Sequence, residues 1–206
     1  MPGYARSERR ALADLMDEVG PDAPTRCEGW AARDLAAHLV LREHRPDAVV
    51  GILVGPMRGY AENVRRQIAA RPWAALVEAI RSGPPAPLRP LDEQINLVEM
   101  FVHHEDVRRA QPGWDVRPID PAEERALWTR LSVVARLSRW RLPVGLTLEA
   151  PGFGRVRARP GAPHVQLKGT PGELTLFMLG RQDVARVDVA GPPDAVERLR
   201  TARLGL

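Results

Sequence analysis

His38, Glu99 and His103 are the residues of this chain whose types and spacing could do chemistry. They fall in two segments with helical patterning, DLAAHLVLRE (34–43) and NLVEMFVHHEDVRRA (96–110). Glu99 and His103 are four residues apart, so on a helix both side chains leave one face, one turn apart. A carboxylate and an imidazole at that spacing, joined by an imidazole from a facing helix, form a three-donor metal site with room for water or substrate.

The spacing alone has a plainer meaning. Glu99 and His103 also fit a helix-surface pair worth a few tenths of a kcal/mol, and His38 fits a hydrogen-bonded core histidine. What favours ligation is the face on which they lie. Around the 91–110 helix, Leu91, Ile95, Val98 and Val102 form an apolar stripe, with Glu99, His103 and Asp106 on it or at its edge. His104 points the other way. In the 31–44 helix, His38 sits beside Leu35 and Leu41. Ionisable groups turned inward cost several kcal/mol unless paired or ligated. Asp34, one turn before His38, is placed to accept a hydrogen bond from its ring, and Asp106 stands likewise to His103. His44 falls on a different face of its helix, and His164 reads as a strand-end residue. Cys27 reads as a small buried residue near the mouth of the helices, with ligation as its alternative, and Trp30 as a staple for that loop.

These residues need helices to hold them, and the first two-thirds of the chain supplies helical patterning. Residues 5–19, 31–44, 60–70, 73–82, 91–110 and 121–141 carry apolar residues at helical spacing. Gly20-Pro21, Gly55-Pro56, Arg71-Pro72, the segment SGPPAPLRP (82–90) and Gln111-Pro112-Gly113 punctuate them. Beyond Pro143 the pattern changes. VGLTLEA (144–150), RVRARP (155–160), HVQLKG (164–169) and ARVDVAG (185–191) read as strands, and PGFG (151–154) as a tight turn. Thr170-Pro171-Gly172-Glu173 is a capping box that starts a helix ending at Gly180, and PDAVERLRTA (193–202) is a closing helix. The expectation is α+β: a helical bundle over 1–142 and a small α/β domain over 143–206.

Composition narrows the function classes. The chain has 206 residues, 44% of them hydrophobic and 27% charged, which describes an ordinary globular protein. The net charge of +4 comes from arginines scattered among acids, with Lys168 the only lysine. Nucleic-acid binding would need clustered cations, and there are none. No apolar run approaches the ~20 residues that span a bilayer. The N-terminal segment is amphipathic, without the apolar centre of a secretion signal, and Cys27 is the single cysteine. A cytoplasmic protein is expected.

The blocks TRCEGWAARDLAAHL (25–39), LVEMFVHHEDVRRA (97–110), GELTLFMLGR (172–181) and VDVAGPPDAVERL (187–199) together resemble the mycothiol-dependent maleylpyruvate isomerase family. That family belongs to the DinB-like superfamily of metal-binding four-helix bundles. Within it, the chain resembles an actinobacterial set of metal-binding proteins of unassigned activity. The resemblance runs over nearly the whole chain and implies a DinB-like bundle followed by a small sterol-carrier-like α/β domain. It implies a divalent metal, usually zinc, on His38, Glu99 and His103, with open positions for water or a thiolate. It implies mycothiol as thiol cosubstrate and an arginine from the C-terminal domain at the site. Arg181 is the position to test for that anion clamp, against the plainer role of bonding helix-end carbonyls.

The leading expectation is a metal-dependent transferase or isomerase that uses a low-molecular-weight thiol on a small electrophile. Two alternatives stay open: a non-catalytic metal- or ligand-binding module, and a thiol-independent metal hydrolase. Bundles of this kind often pair, which leaves a homodimer open.

Overall fold

The structure is a computed structural model that describes residues 3–53, 57–137 and 139–205. It is α+β and divides into two compact units, Met1–Asp115 and Val116–Leu206.

The first unit is helical. It contains α1 (Tyr4–Val19), α2 (Ala32–His44), α3 (Pro46–Leu53), α4 (Arg58–Ala69), α5 (Trp73–Ser82) and α6 (Asp92–Arg108). The expected break at Gly55-Pro56 lies outside the described residues. Helix α1 lies along α6, α5 packs on α1 and α2, and α4 packs on α2 and α3. Leu12, Met16, Leu35, Leu76, Ile80 and Met100 form the heart of the shared core, all fully buried. Alternation at three and four residues puts these side chains on single faces, and their burial is what makes such short helices stable.

Charged residues are buried with them. Arg9 of α1 bonds Glu43 of α2 and, at 2.8 Å, Asp92 of α6. Asp92 also accepts from Asn96 at 2.8 Å. His104 bonds Glu8 at 2.8 Å, and the Ala5 amide donates to Glu93 at 2.9 Å. Helix α6 is therefore buried on the α1 side as well as on the opposite one. The apolar stripe expected along it is buried only at its C-terminal end: Leu91 and Ile95 are about half exposed and Val102 is buried, whereas the polar Asn96, His103, His104, Glu105 and Asp106 are buried as well. Ionic pairing across helices overrides the amphipathic pattern here.

The second unit places α7 (Pro121–Leu137) with a four-stranded sheet, α8 (Pro171–Met178) and α9 (Pro193–Arg200). The strands β1 (Gly145–Ala150), β2 (Gly154–Arg159), β3 (His164–Lys168) and β4 (Asp188–Ala190) take the order β2-β1-β3-β4. β1 pairs antiparallel with β2 and parallel with β3, and β3 pairs antiparallel with β4. Thr170 caps α8 by accepting from the Glu173 amide, with Pro171 in the first turn.

The division falls after Asp115, not near residue 142. Trp128, Leu131 and Ala135 of α7 bury into the same core as Leu146, Leu148, Val165 and Phe177. An amphipathic pattern says that a helix buries a face but not against what, so α7 reads as bundle until its neighbours are known. The helix also stops at Leu137, followed by a short 3-10 turn at Arg139–Arg141; Ser138 lies outside the described residues. Among the described residues, no helix is long and apolar enough to cross a membrane.

Candidate metal centre

Helices α2 and α6 bring the expected donors together. One ligand atom each from His38, Glu99 and His103 lies within 4.8 Å of the others. Glu99 Oε2 is 3.6 Å from His103 Nε2, and the two imidazole rings meet edge to face with centroids 5.6 Å apart. A tetrahedral ion with nitrogen and oxygen ligands at ~2.0–2.2 Å holds those ligands roughly 3.3–3.6 Å apart. The donors fit such an ion with small side-chain adjustments.

Each donor is prepared differently. His103 Nδ1 donates to Asp106 Oδ2 at 2.9 Å, which fixes the ring and turns Nε2 toward Glu99. Burial alone would lower the His103 pKa, but the bond to Asp106, aided by Cys27 and Glu99, holds it well above the usual histidine range. Glu99 is pushed up by burial, yet the His103 ring beside it and the nearby charges of His103 and Arg42 win, and it stays ionised below the usual carboxylate range. His38 goes the other way. Burial first, then the His103 charge, push its pKa down to about 3, so it stands as a neutral ring. It contacts Trp30 at 5.2 Å and His103, and no hydrogen bond to it forms among the described residues. A neutral imidazole with a lone pair to give, an ionised carboxylate and an oriented second imidazole make a donor set suited to a divalent cation.

Asp34 does not orient His38. Its Oδ1 accepts from Arg65 of α4 at 2.6 Å, and its Oδ2 accepts from the Ala31 amide at the start of its own helix. The carboxylate is spent on capping and on an ion pair, so the ring one turn away goes without it. Arg181 lies just after α8 in the second unit, where its guanidinium donates to the Leu179 carbonyl. His164 bonds Thr147 within the sheet at 2.9 Å.

The fold has a solved counterpart. A crystal structure of a histidine-to-alanine variant of mycothiol-dependent maleylpyruvate isomerase matches with a TM-score of 0.62 over 91% of this chain and 90% of that one. Sequence identity is 16%, so the likeness is one of fold. No protein-family model and no curated protein matches the chain.

Two neighbours of the donors, Arg42 and Arg65, carry no role in the sequence analysis, and Trp30 is read there only as a staple for its loop. Arg42, one turn after His38, places its guanidinium 3.5 Å from Glu99 Oε1 and also bonds Asn96. Its spacing from His38 carries the signal, since residues four apart share a helix face. Trp30 covers His38, and Arg65 lies 5.1 Å from the face of that indole. Neither contact has a sequence spacing to reveal it, because loop and α4 approach α2 from separate stretches of chain.

Proposed function

We propose that this protein is a divalent-metal-dependent enzyme that uses a low-molecular-weight thiol, acting as an isomerase or transferase on a small electrophile. The observation that carries the reading is the convergence of His38, Glu99 and His103, within 4.8 Å, in a chain with the fold of mycothiol-dependent maleylpyruvate isomerase. By this reading the helical unit is a DinB-like four-helix bundle, the second unit is sterol-carrier-like, and the thiol is mycothiol or a close analogue.

His38, Glu99 and His103 would hold the ion, zinc being the first candidate for two imidazoles and a carboxylate. Asp106 keeps the His103 ring in place for the role. A bound divalent ion supplies Lewis acidity, lowering the pKa of a thiol or water at its open position. Arg42 adds fixed positive charge beside Glu99, which favours anionic groups at the site's edge. Cys27 meets His103 at Nδ1, the nitrogen turned away from Glu99, with Sγ 3.9 Å off. It therefore does not complete the first donor set, and three protein donors with an open position suit catalysis better than a closed structural site.

The test has two stages. Elemental analysis of protein carrying Cys27→Ser, so that the lone thiol holds no ion, and purified without added metal is expected to give about one ion per chain at this set, lost on adding His38→Ala or Glu99→Ala. Metal-loaded protein with mycothiol and a panel of unsaturated carboxylate electrophiles is then expected to yield a thioether conjugate or a cis–trans isomer. Metal retained in both variants overturns the ligand assignment. Turnover that does not need the thiol reassigns the protein to metal-assisted hydrolysis, and no turnover across the panel overturns the thiol-dependent reading.

A further inference from the structure

Cys27, His103 and Asp106 form a second cluster on the far side of the His103 ring. Asp106 Oδ2 is 2.9 Å from His103 Nδ1 and 3.2 Å from Cys27 Sγ, and Sγ is 3.9 Å from Nδ1. All three donor atoms lie within 4.8 Å of one another. Bonds of ~2.0–2.3 Å to sulfur, nitrogen and oxygen put such donors roughly 3.3–3.7 Å apart on a tetrahedral ion. The observed separations bracket that range, so shifts of about half an ångström bring the three donors to an ion, with a fourth position left for solvent.

The cluster is also built to stay in place. Asp106 and His103 stand on α6, within a buried turn. Cys27 lies on the loop before α2, which is pinned to α6 by the Arg26 amide donating to the Asp106 carbonyl at 2.9 Å. Thr25 tightens the same loop. Its hydroxyl donates to the Trp30 carbonyl at 2.7 Å and accepts from the Cys27 amide at 3.2 Å. Cys27 is only half-buried, which leaves a way in.

We infer that Cys27, His103 and Asp106 form a second cation site, selective for borderline-soft, thiophilic divalent ions such as zinc, cobalt or cadmium. A thiolate with an imidazole and a carboxylate is a softer donor set than His38, Glu99 and His103, and softness selects the ion. On binding, the Cys27 thiol and the His103 Nδ1–H each release a proton to solvent. A neutral imidazole has one lone pair. An ion on Nδ1 therefore leaves the remaining ring proton on Nε2 and takes His103 away from the first set. The two sites share one ring and compete for it, so a thiophilic ion at Cys27 would weaken binding at His38 and Glu99.

Cobalt(II) added to the whole chain, with near-ultraviolet absorption as readout, tests the site. Thiolate coordination gives a sulfur-to-cobalt charge-transfer band that nitrogen and oxygen ligands do not. The band is expected in the wild type, in His38→Ala and in the isosteric Glu99→Gln, and is expected to vanish in Cys27→Ser. Because it needs neither His38 nor Glu99, it separates this site from the first whatever becomes of the proposed function. No band in the wild type overturns the inference. So does a band lost in His38→Ala or Glu99→Gln together with Cys27→Ser, since Cys27 would then be ligating the ion of the first set.

Discussion

Asp106→Asn is the substitution that most directly tests how His103 is prepared. Asp106 is fully buried, and its Oδ2 accepts from His103 Nδ1 at 2.9 Å. Asparagine keeps the shape and a hydrogen-bond acceptor but loses the charge that makes the ring basic. Losing an outer carboxylate of this kind costs about 10–100-fold in metal affinity, or about 1.4–2.8 kcal/mol at 1.4 kcal/mol per decade. The pH dependence adds a sharper signature. Burial alone would lower the His103 pKa, but the Asp106 bond raises it well above 6.5. Without a cation the wild-type ring thus holds a proton on Nε2 that an ion must displace, and affinity falls as pH drops through that raised pKa. Asp106→Asn lowers the ring's pKa, so protons compete less with the ion on the acid side. The affinity deficit of the variant is therefore smallest near about pH 6 and widens toward about pH 8. Competition titration of zinc against a chromophoric chelator reads it, with both proteins carrying Cys27→Ser so that the thiolate set contributes nothing. Equal affinities at the upper pH, or a deficit that narrows as pH rises, would refute the reasoning.

Three other perturbations follow from the packing. His38 has a folded-state pKa of about 3 against 6.5 for the unconstrained ring. Its contribution to stability is thus complete above the unfolded value and is lost as pH falls from there toward the folded one. His38→Gln should flatten the acid-side slope of unfolding free energy in urea titrations, and parallel slopes for the two proteins would contradict the shift. Glu43→Ala leaves Arg9, 1% exposed, with Asp92 as its carboxylate partner, and removing one member of a buried ion pair costs about 3 kcal/mol; a denaturation midpoint within error of wild type would count against a stabilising network. At Gly145, an added Cβ would meet the Gly161 carbonyl oxygen at 2.1 Å and His164 Nδ1 at 2.7 Å, so Gly145→Ala should destabilise by about 1–3 kcal/mol, visible as a lower melting temperature.

The sequence is legible where local chemistry decides the outcome. Thr170-Pro171-Gly172-Glu173 announces the start of α8, and Gly20 ends α1 in a positive-φ conformation that glycine adopts freely. Glu99 and His103 share a turn of one helix, and His38 sits among buried leucines on another, so their meeting at one point needed only that α2 and α6 face each other. What escaped depends on partners distant in sequence. Asp34 was judged by its own helix, but Arg65 claims it from α4. The Leu91–Ile95 stripe failed because Arg9, Glu8 and Glu43 make the polar residues of α6 cheaper to bury than its exposed leucine and isoleucine suggest. The α7 boundary failed because the second core recruits Trp128 and Leu131, and no local signal names the surface a helix will cover.

Helix α6 shows how structural and functional burial differ within one element. On its α1 side polar groups meet partners: His104 with Glu8, Asp92 with Arg9, Glu93 with the Ala5 amide. Those bonds fix the position and rotation of α6. On the α2 side, His103 is satisfied at Nδ1 alone, and its Nε2 stands 3.6 Å from Glu99 in a separation too long for a hydrogen bond. His38 facing it has ring contacts and no hydrogen bond among the described residues. Leaving a half-buried imidazole unbonded costs free energy that a nearby Asn or Ser could have removed. The paired side supplies the rigidity that keeps this second side open, and a cation is the ligand whose bonds would complete all three donors at once.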